Sequence, residues 1–269
     1  LASLNLAKDK GVRLQSHLLS AKSQVPVAEN LFGGSTVEYL RSLDGLQDWI
    51  SFAHGIWLSD EDIALLAESA ACVVHNPVSN QKLGAGIAPV PALLQAGVPV
   101  ALGSDGASSN DSQNMFETIK SSAILHRIAN RPDAWPSAED ALAMCWVGGS
   151  TVMGQAVGKI APGFKADLTI MNTDSFFLGP KEQLINQLVY SELGMSVDTV
   201  IVDGRVVLSG GRIRTIDTDA ILAEGQELAN RIWENLPERM TRFTETQPIL
   251  RQLEERVGAM ELRFARTCG

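Results

Sequence analysis

Four segments of this 269-residue sequence end in groups able to hold a metal or move a proton. "VRLQSH" (12–17), "WISFAH" (49–54) and "ACVVH" (71–75) close on His17, His54 and His75, and "VPVALGSD" (98–105) closes on Asp105. One histidine at a strand end is ordinarily structural; three histidines and an aspartate at the same point of successive segments form a pattern. Neutral imidazoles with a carboxylate suit a divalent metal such as zinc or iron. A metal held with an open position lowers the pKa of bound water and supplies hydroxide at neutral pH. Asp105 could ligate such a metal and accept the proton of the attacking water, and a neighbouring histidine could pass that proton to a leaving amine. The fourth histidine, His126 of "SSAILHRIAN", lies in a stretch of helical period and reads as structural.

The segments must be strands for these groups to converge. Val98, Val100, Ala101 and Leu102 form a short apolar run of the kind buried on both faces of a parallel sheet, and Gly103 and Gly106 bracket its exit. Between the strands lie "STVEYLRSLDGL", "SDEDIALLAESA" and "APVPALLQAGV", each with apolar residues at helical spacing. Ser59 ahead of Glu61 and Asp62 supplies a capping residue and first-turn acids. Strand and helix in alternation predict βαβ units and a parallel sheet, whose carboxyl edge is where such folds place their chemistry. A different texture begins near Gly158: "GKIAPGFKADLTIMN" and "VDTVIVDGRVVLSGGRI" are glycine-punctuated and β-rich, with a hairpin expected at Asp203-Gly204. From Asp219 onward, apolar stripes against charged faces predict helices.

Composition narrows the partners. The formal net charge of −9 disfavours nucleic acid and anionic membranes, so a small neutral or cationic substrate fits better. Cys72, Cys145 and Cys268 form no C-x-x-C pair and are odd in number, which points away from disulfides and cysteine metal sites and toward a reducing cytoplasm. No stretch reads as a membrane span or signal peptide. The sequence opens on Leu1 rather than methionine, which is what a chain beginning inside a longer product would show.

The segments "SHLLSAKSQ", "AHGIWLSDEDIALLAESAACVVHNPVSNQKLGAGIAPVPALLQAGVPVALGSDGASSND", "GKIAPGFKADLTIMN" and "VIVDGRVVLSGGRI" resemble the amidohydrolase superfamily. The similarity is to its cytosine-deaminase-like, chlorohydrolase-like and adenosyl-thiol deaminase branch. It implies an α/β fold in which residues 1–157 are the C-terminal half of a TIM-type (β/α)8 metallo-hydrolase barrel. Residues 158–215 would be a small β-sandwich portion and 216–269 a C-terminal helical segment. On this resemblance His17 matches the metal-ligand histidine that ends the fifth barrel strand. His54 matches the sixth-strand histidine, which binds metal in some members and otherwise contacts substrate or moves protons. Asp105 matches the eighth-strand aspartate that is both ligand and base. His75, Asn76 and Asn80, in "HNPVSN", would border the substrate pocket, although Asn76 and Asn80 could equally tie the loop backbone together.

The sequence departs from that family in two places. The first-strand H-x-H pair is absent, and about 250 residues are needed for eight barrel units, so a barrel half supplied by the same gene product or a partner chain is expected. Members that deaminate usually carry glutamate three residues after the fifth-strand histidine, where this chain has Ser20, a far weaker acid and base. The implied function is hydrolysis of a C–N bond, deaminating an aminated purine, pyrimidine, pterin or triazine by hydroxide made at zinc or, second, iron. Further copies of the chain, as a homo-oligomer, are expected partners. The alternative is a non-catalytic paralogue or assembly subunit lacking the H-x-H metal pair.

Overall fold

In the computed structural model, which describes residues 2–260 with Leu262 and Phe264, the apolar runs become the strands of a parallel sheet. Cys268 lies outside the described residues. The order is α1 (Ala2–Lys10), β1 (Leu14–Leu18), α2 (Gln24–Phe32), α3 (Thr36–Ser42), β2 (Ile50–His54), α4 (Asp60–Ala67) and β3 (Cys72–His75). There follow α5 (Pro77–Lys82), α6 (Val90–Gln95), β4 (Val100–Leu102), α7 (Ala107–Asn110), α8 (Met115–Ala129) and α9 (Ala138–Met153). Then come β5 (Leu168–Met171), α10 (Leu184–Tyr190), β6 (Val197–Val202), β7 (Arg205–Ser209), β8 (Arg212–Ile213), α11 (Thr218–Glu234) and α12 (Leu236–Gly258). By contacts the described residues form two compact units, one of residues 2–167 and 172–196 with Leu262 and Phe264, the other of 168–171 and 197–260.

In the first unit β1, β2, β3 and β4 lie side by side in that order, all parallel. Leu18 pairs with His54 and His75 with Leu102, so the register brings the strand ends to one edge. Every β3 residue is buried, as are four of the five in β2, whereas β1 leaves Gln15, Ser16 and His17 exposed at the sheet border. Ile50, Phe52, Val73, Val100 and Leu102 pack with Val37, Leu58, Leu66, Leu93 and Leu142 in the main core. The helices start where their caps dictate: Ser35, Ser59 and Ser137 form capping boxes with Glu38, Asp62 and Asp140. Among the described residues no helix is long and apolar enough to cross a membrane.

Two contacts fix α9 to the sheet. A Cβ at Gly148 would lie 2.5 Å from the Val100 carbonyl oxygen and 2.6 Å from the Ala101 Cα, so helix and strand backbones meet because this residue has no side chain. Backbone atoms cannot swing aside, and Gly148→Ala is expected to destabilise the first unit by about 1–3 kcal/mol, read as a lower urea midpoint. At the helix end the Arg13 guanidinium donates to the Thr151 and Val152 carbonyls, each at 2.7 Å, and to the Asp48 carbonyl. It thereby satisfies terminal carbonyls that have no partner within the helix.

In the second unit β5, β6, β7 and β8 form an antiparallel sheet. Asp203 (φ 49°) and Gly204 (φ 78°) turn the β6–β7 hairpin with both residues left-handed, the backbone the Asp-Gly pair predicts. α11 and α12 bury no residue completely.

Candidate metal centre

Three strands deliver one potential ligand each to a common point. Ligand atoms of His17 at β1, His54 at β2 and Asp105 beyond β4 all lie within 4.8 Å of one another. The His17 and His54 rings stack with centroids 5.3 Å apart and planes 16° from parallel. His54 Nε2 is 3.9 Å from Asp105 Oδ2. Reaching this point takes unusual backbone: His54 (φ 78°), Asp105 (φ 61°) and Leu19 (φ 47°) are all left-handed. Such conformations cost side-chain-bearing residues about 1–3 kcal/mol each and concentrate at functional sites. The chain turns sharply at each strand end instead of continuing the pleat, which aims the side chains at their neighbours.

The charge at the site is also fixed. Burial works against ionising Asp105, but the Ser79 hydroxyl, the Gly106 amide and the nearby His54 and His17 outweigh it and hold the carboxyl below its ordinary range. Ser79 Oγ donates to Asp105 Oδ2 at 2.5 Å, and the Gly106 N–H donates to Oδ1 at 2.8 Å. His54 Nδ1 lies 2.9 Å from Asn80 Oδ1. Because that oxygen can only accept, Nδ1 carries the proton, which leaves Nε2, on the Asp105 side, as the nitrogen available to the site. Two imidazoles and an ionised carboxylate, their donor atoms already converged, are a suitable donor set for zinc, which takes nitrogen and oxygen ligands at about 2.0–2.2 Å.

The other residues singled out in the sequence lie deeper. His75, Asn76 and Asn80 are 0%, 3% and 1% exposed. Asn76 donates to the Val74 carbonyl at 3.4 Å and lies against Gly103, where a Cβ would meet its Oδ1 at 2.4 Å. His75 meets His126 of α8, ring centroids 5.4 Å apart, and neither ring nitrogen of either histidine has a hydrogen-bond partner among the described residues. Burial pushes the His126 imidazole down to about 4, and burial with the neighbouring His126 and His54 holds His75 well below its usual value. Sequence reasoning missed two of these relations. His126 was placed correctly on a helix, but its meeting with His75 follows from how α8 docks. Ser79 carried no signal beyond standing next to Asn80 in "HNPVSN".

A family model described as the amidohydrolase family matches residues 1–207. A 5'-deoxyadenosine deaminase of Methanocaldococcus jannaschii is 36% identical over 225 residues, 83% of this chain and 53% of that protein. A 5-methylthioadenosine/S-adenosylhomocysteine deaminase of Syntrophomonas wolfei is 37% identical over 221 residues, 80% of this chain and 51% of that protein. Among solved structures, an adenosine deaminase from Xanthomonas campestris with bound zinc superposes with a TM-score of 0.81 at 28% identity, over 85% of this chain and 53% of that one. The chain spans about half the length of the relatives it matches.

Proposed function

Because the chain belongs to the amidohydrolase family, we propose that it carries the metal-holding and proton-handling half of a hydrolytic deaminase that removes the amino group of an adenosine-type purine. The observation that carries this reading is the convergence of His17, His54 and Asp105 within 4.8 Å at the carboxyl edge of one parallel sheet. The deaminases among the relatives favour the purine over the other aminated heterocycles.

In this reading His17 and Asp105 hold the zinc, which when bound supplies water acidified to near-neutral pKa. Asp105 is ionised and takes the proton of the attacking water. His54, with Nδ1 engaged by Asn80, has its Nε2 lone pair free to receive that proton and pass it to the departing amine. β1 and β4 each pair on one side only among the described residues, and a segment bearing an H-x-H pair that joins those edges would add the remaining ligands and enclose the substrate.

The test is release of ammonia from 5'-deoxyadenosine by the zinc-loaded protein, with Ser20→Glu assayed beside it. Ser20 is half-buried at the end of β1. A carboxyl group there should raise turnover by part of the ~10²–10⁴-fold that acid–base assistance contributes, with zinc content unchanged. Zinc bound without any ammonia release from either form, assayed together with a segment bearing the H-x-H pair, overturns the deaminase and favours an assembly role, which Ser20 also supports.

A further inference from the structure

The helix that follows β3 holds the functional groups of the strands on either side. β3 lies between β2 and β4, and its own histidine, His75, faces away into the interior with His126. Yet α5, which starts two residues later, puts two consecutive side chains on the site. Ser79 binds Asp105 from the β4 side at 2.5 Å, and Asn80 binds His54 from the β2 side at 2.9 Å. Both are 1% exposed, so neither bond competes with bulk water.

α5 is itself braced. Pro77 starts the helix, and Gln81 Nε2 reaches the Ser121 hydroxyl of α8 at 2.5 Å. Lys82 pairs with Asp111 at 2.5 Å and donates to the Ser108 carbonyl at 3.2 Å. The two residues that follow the Ser79–Asn80 pair are thus tied to α7, α8 and the turn after α7. A helix fixed in this way can impose geometry on the two groups it touches.

We propose that Ser79 and Asn80 are a paired positioning element, Ser79 setting the Asp105 carboxylate for the metal and Asn80 locking the His54 proton on Nδ1. The proposal rests on the metal reading above for its Ser79 arm and on geometry alone for its Asn80 arm. Partners of this kind behind metal ligands contribute about 10- to 100-fold to metal affinity. The serine hydroxyl spends its one proton on Oδ2 while the Gly106 amide holds Oδ1, so the carboxylate is pinned at both oxygens. Asn80 Oδ1 cannot donate, so the opposite tautomer of His54 would leave two lone pairs facing each other in a buried site.

Two measurements on the chain test the pair. Zinc affinity by competition with a chelator should fall about 10- to 100-fold in Ser79→Ala and stay near the parent in Ser79→Thr, which keeps the hydroxyl. Long-range proton–nitrogen NMR without metal should show His54 as one Nδ1–H tautomer in the parent and in Asn80→Asp, and as a mixture in Asn80→Leu. Equal zinc affinity in the parent and Ser79→Ala, or an unchanged single tautomer in Asn80→Leu, overturns the pair. Absence of zinc binding in the parent overturns the metal reading and the Ser79 arm with it, whereas the tautomer measurement still decides the Asn80 arm.

Discussion

Asp105→Asn should lower the proposed deamination by at least the ~10²–10⁴-fold that acid–base assistance contributes, and further because the charge proposed to hold the metal is lost with it. The substitution keeps the shape of a side chain that is 18% exposed, so the fold should survive. What changes is chemical. The Ser79 hydroxyl and the Gly106 amide both donate to this group, and an asparagine offers them only one accepting atom. The amide accepts no proton from water at neutral pH. Ammonia release, zinc content and the thermal melt of parent and variant together check the expectation. Near-parental turnover in a folded Asp105→Asn protein would remove Asp105 from the mechanism.

Mild acid should destabilise the first unit, and the buried histidine pair sets the window. His126 titrates near 6.5 when unfolded and at about 4 in the fold because burial disfavours its charge. Between those values the unfolded chain binds the proton and the folded one does not. Stability from this group is therefore complete above about pH 6.5 and falls as pH drops toward 4, a loss of about 3 kcal/mol. His75, shifted the same way by burial and by its neighbours His126 and His54, steepens the loss. Urea unfolding across this range should give a slope that flattens in His126→Gln. An equal slope in parent and variant would mean that other groups drive the acid response.

Much of the frame was legible because it rests on local rules. The runs at β2 and β3 are apolar because both faces of those strands are covered, and Ser59 caps α4 because it precedes Asp62 by three residues. Asp203-Gly204 turns a hairpin because those residues tolerate left-handed backbone. The strand-end pattern also brought out His17, His54 and Asp105, which do converge. The same pattern put His75 on an equal footing with them, although it is fully buried against a helix more than forty residues later. Which way a strand-end side chain turns depends on φ at that residue and on what docks behind it. Neither is encoded in periodicity, and for the same reason the hydroxyl of Ser79 gave no warning of the carboxylate it meets.

The Arg13 contact bears on how the molecule comes into being. Its hydrogen bonds to Thr151 and Val152 join residues 138 and 139 positions apart. A ribosome adding about 5–20 residues per second needs roughly 7–28 s to cover that distance, so the start of β1 waits that long for its anchor. During the interval β1 is a sheet-forming segment without its final restraint, and the growing chain depends on β2 and on whatever attends it at the tunnel exit. Long-range closure of this kind slows folding far more than it alters the final stability. A synonymous change of translation speed between codons 14 and 151 should therefore alter the yield of soluble protein without altering a single contact in it.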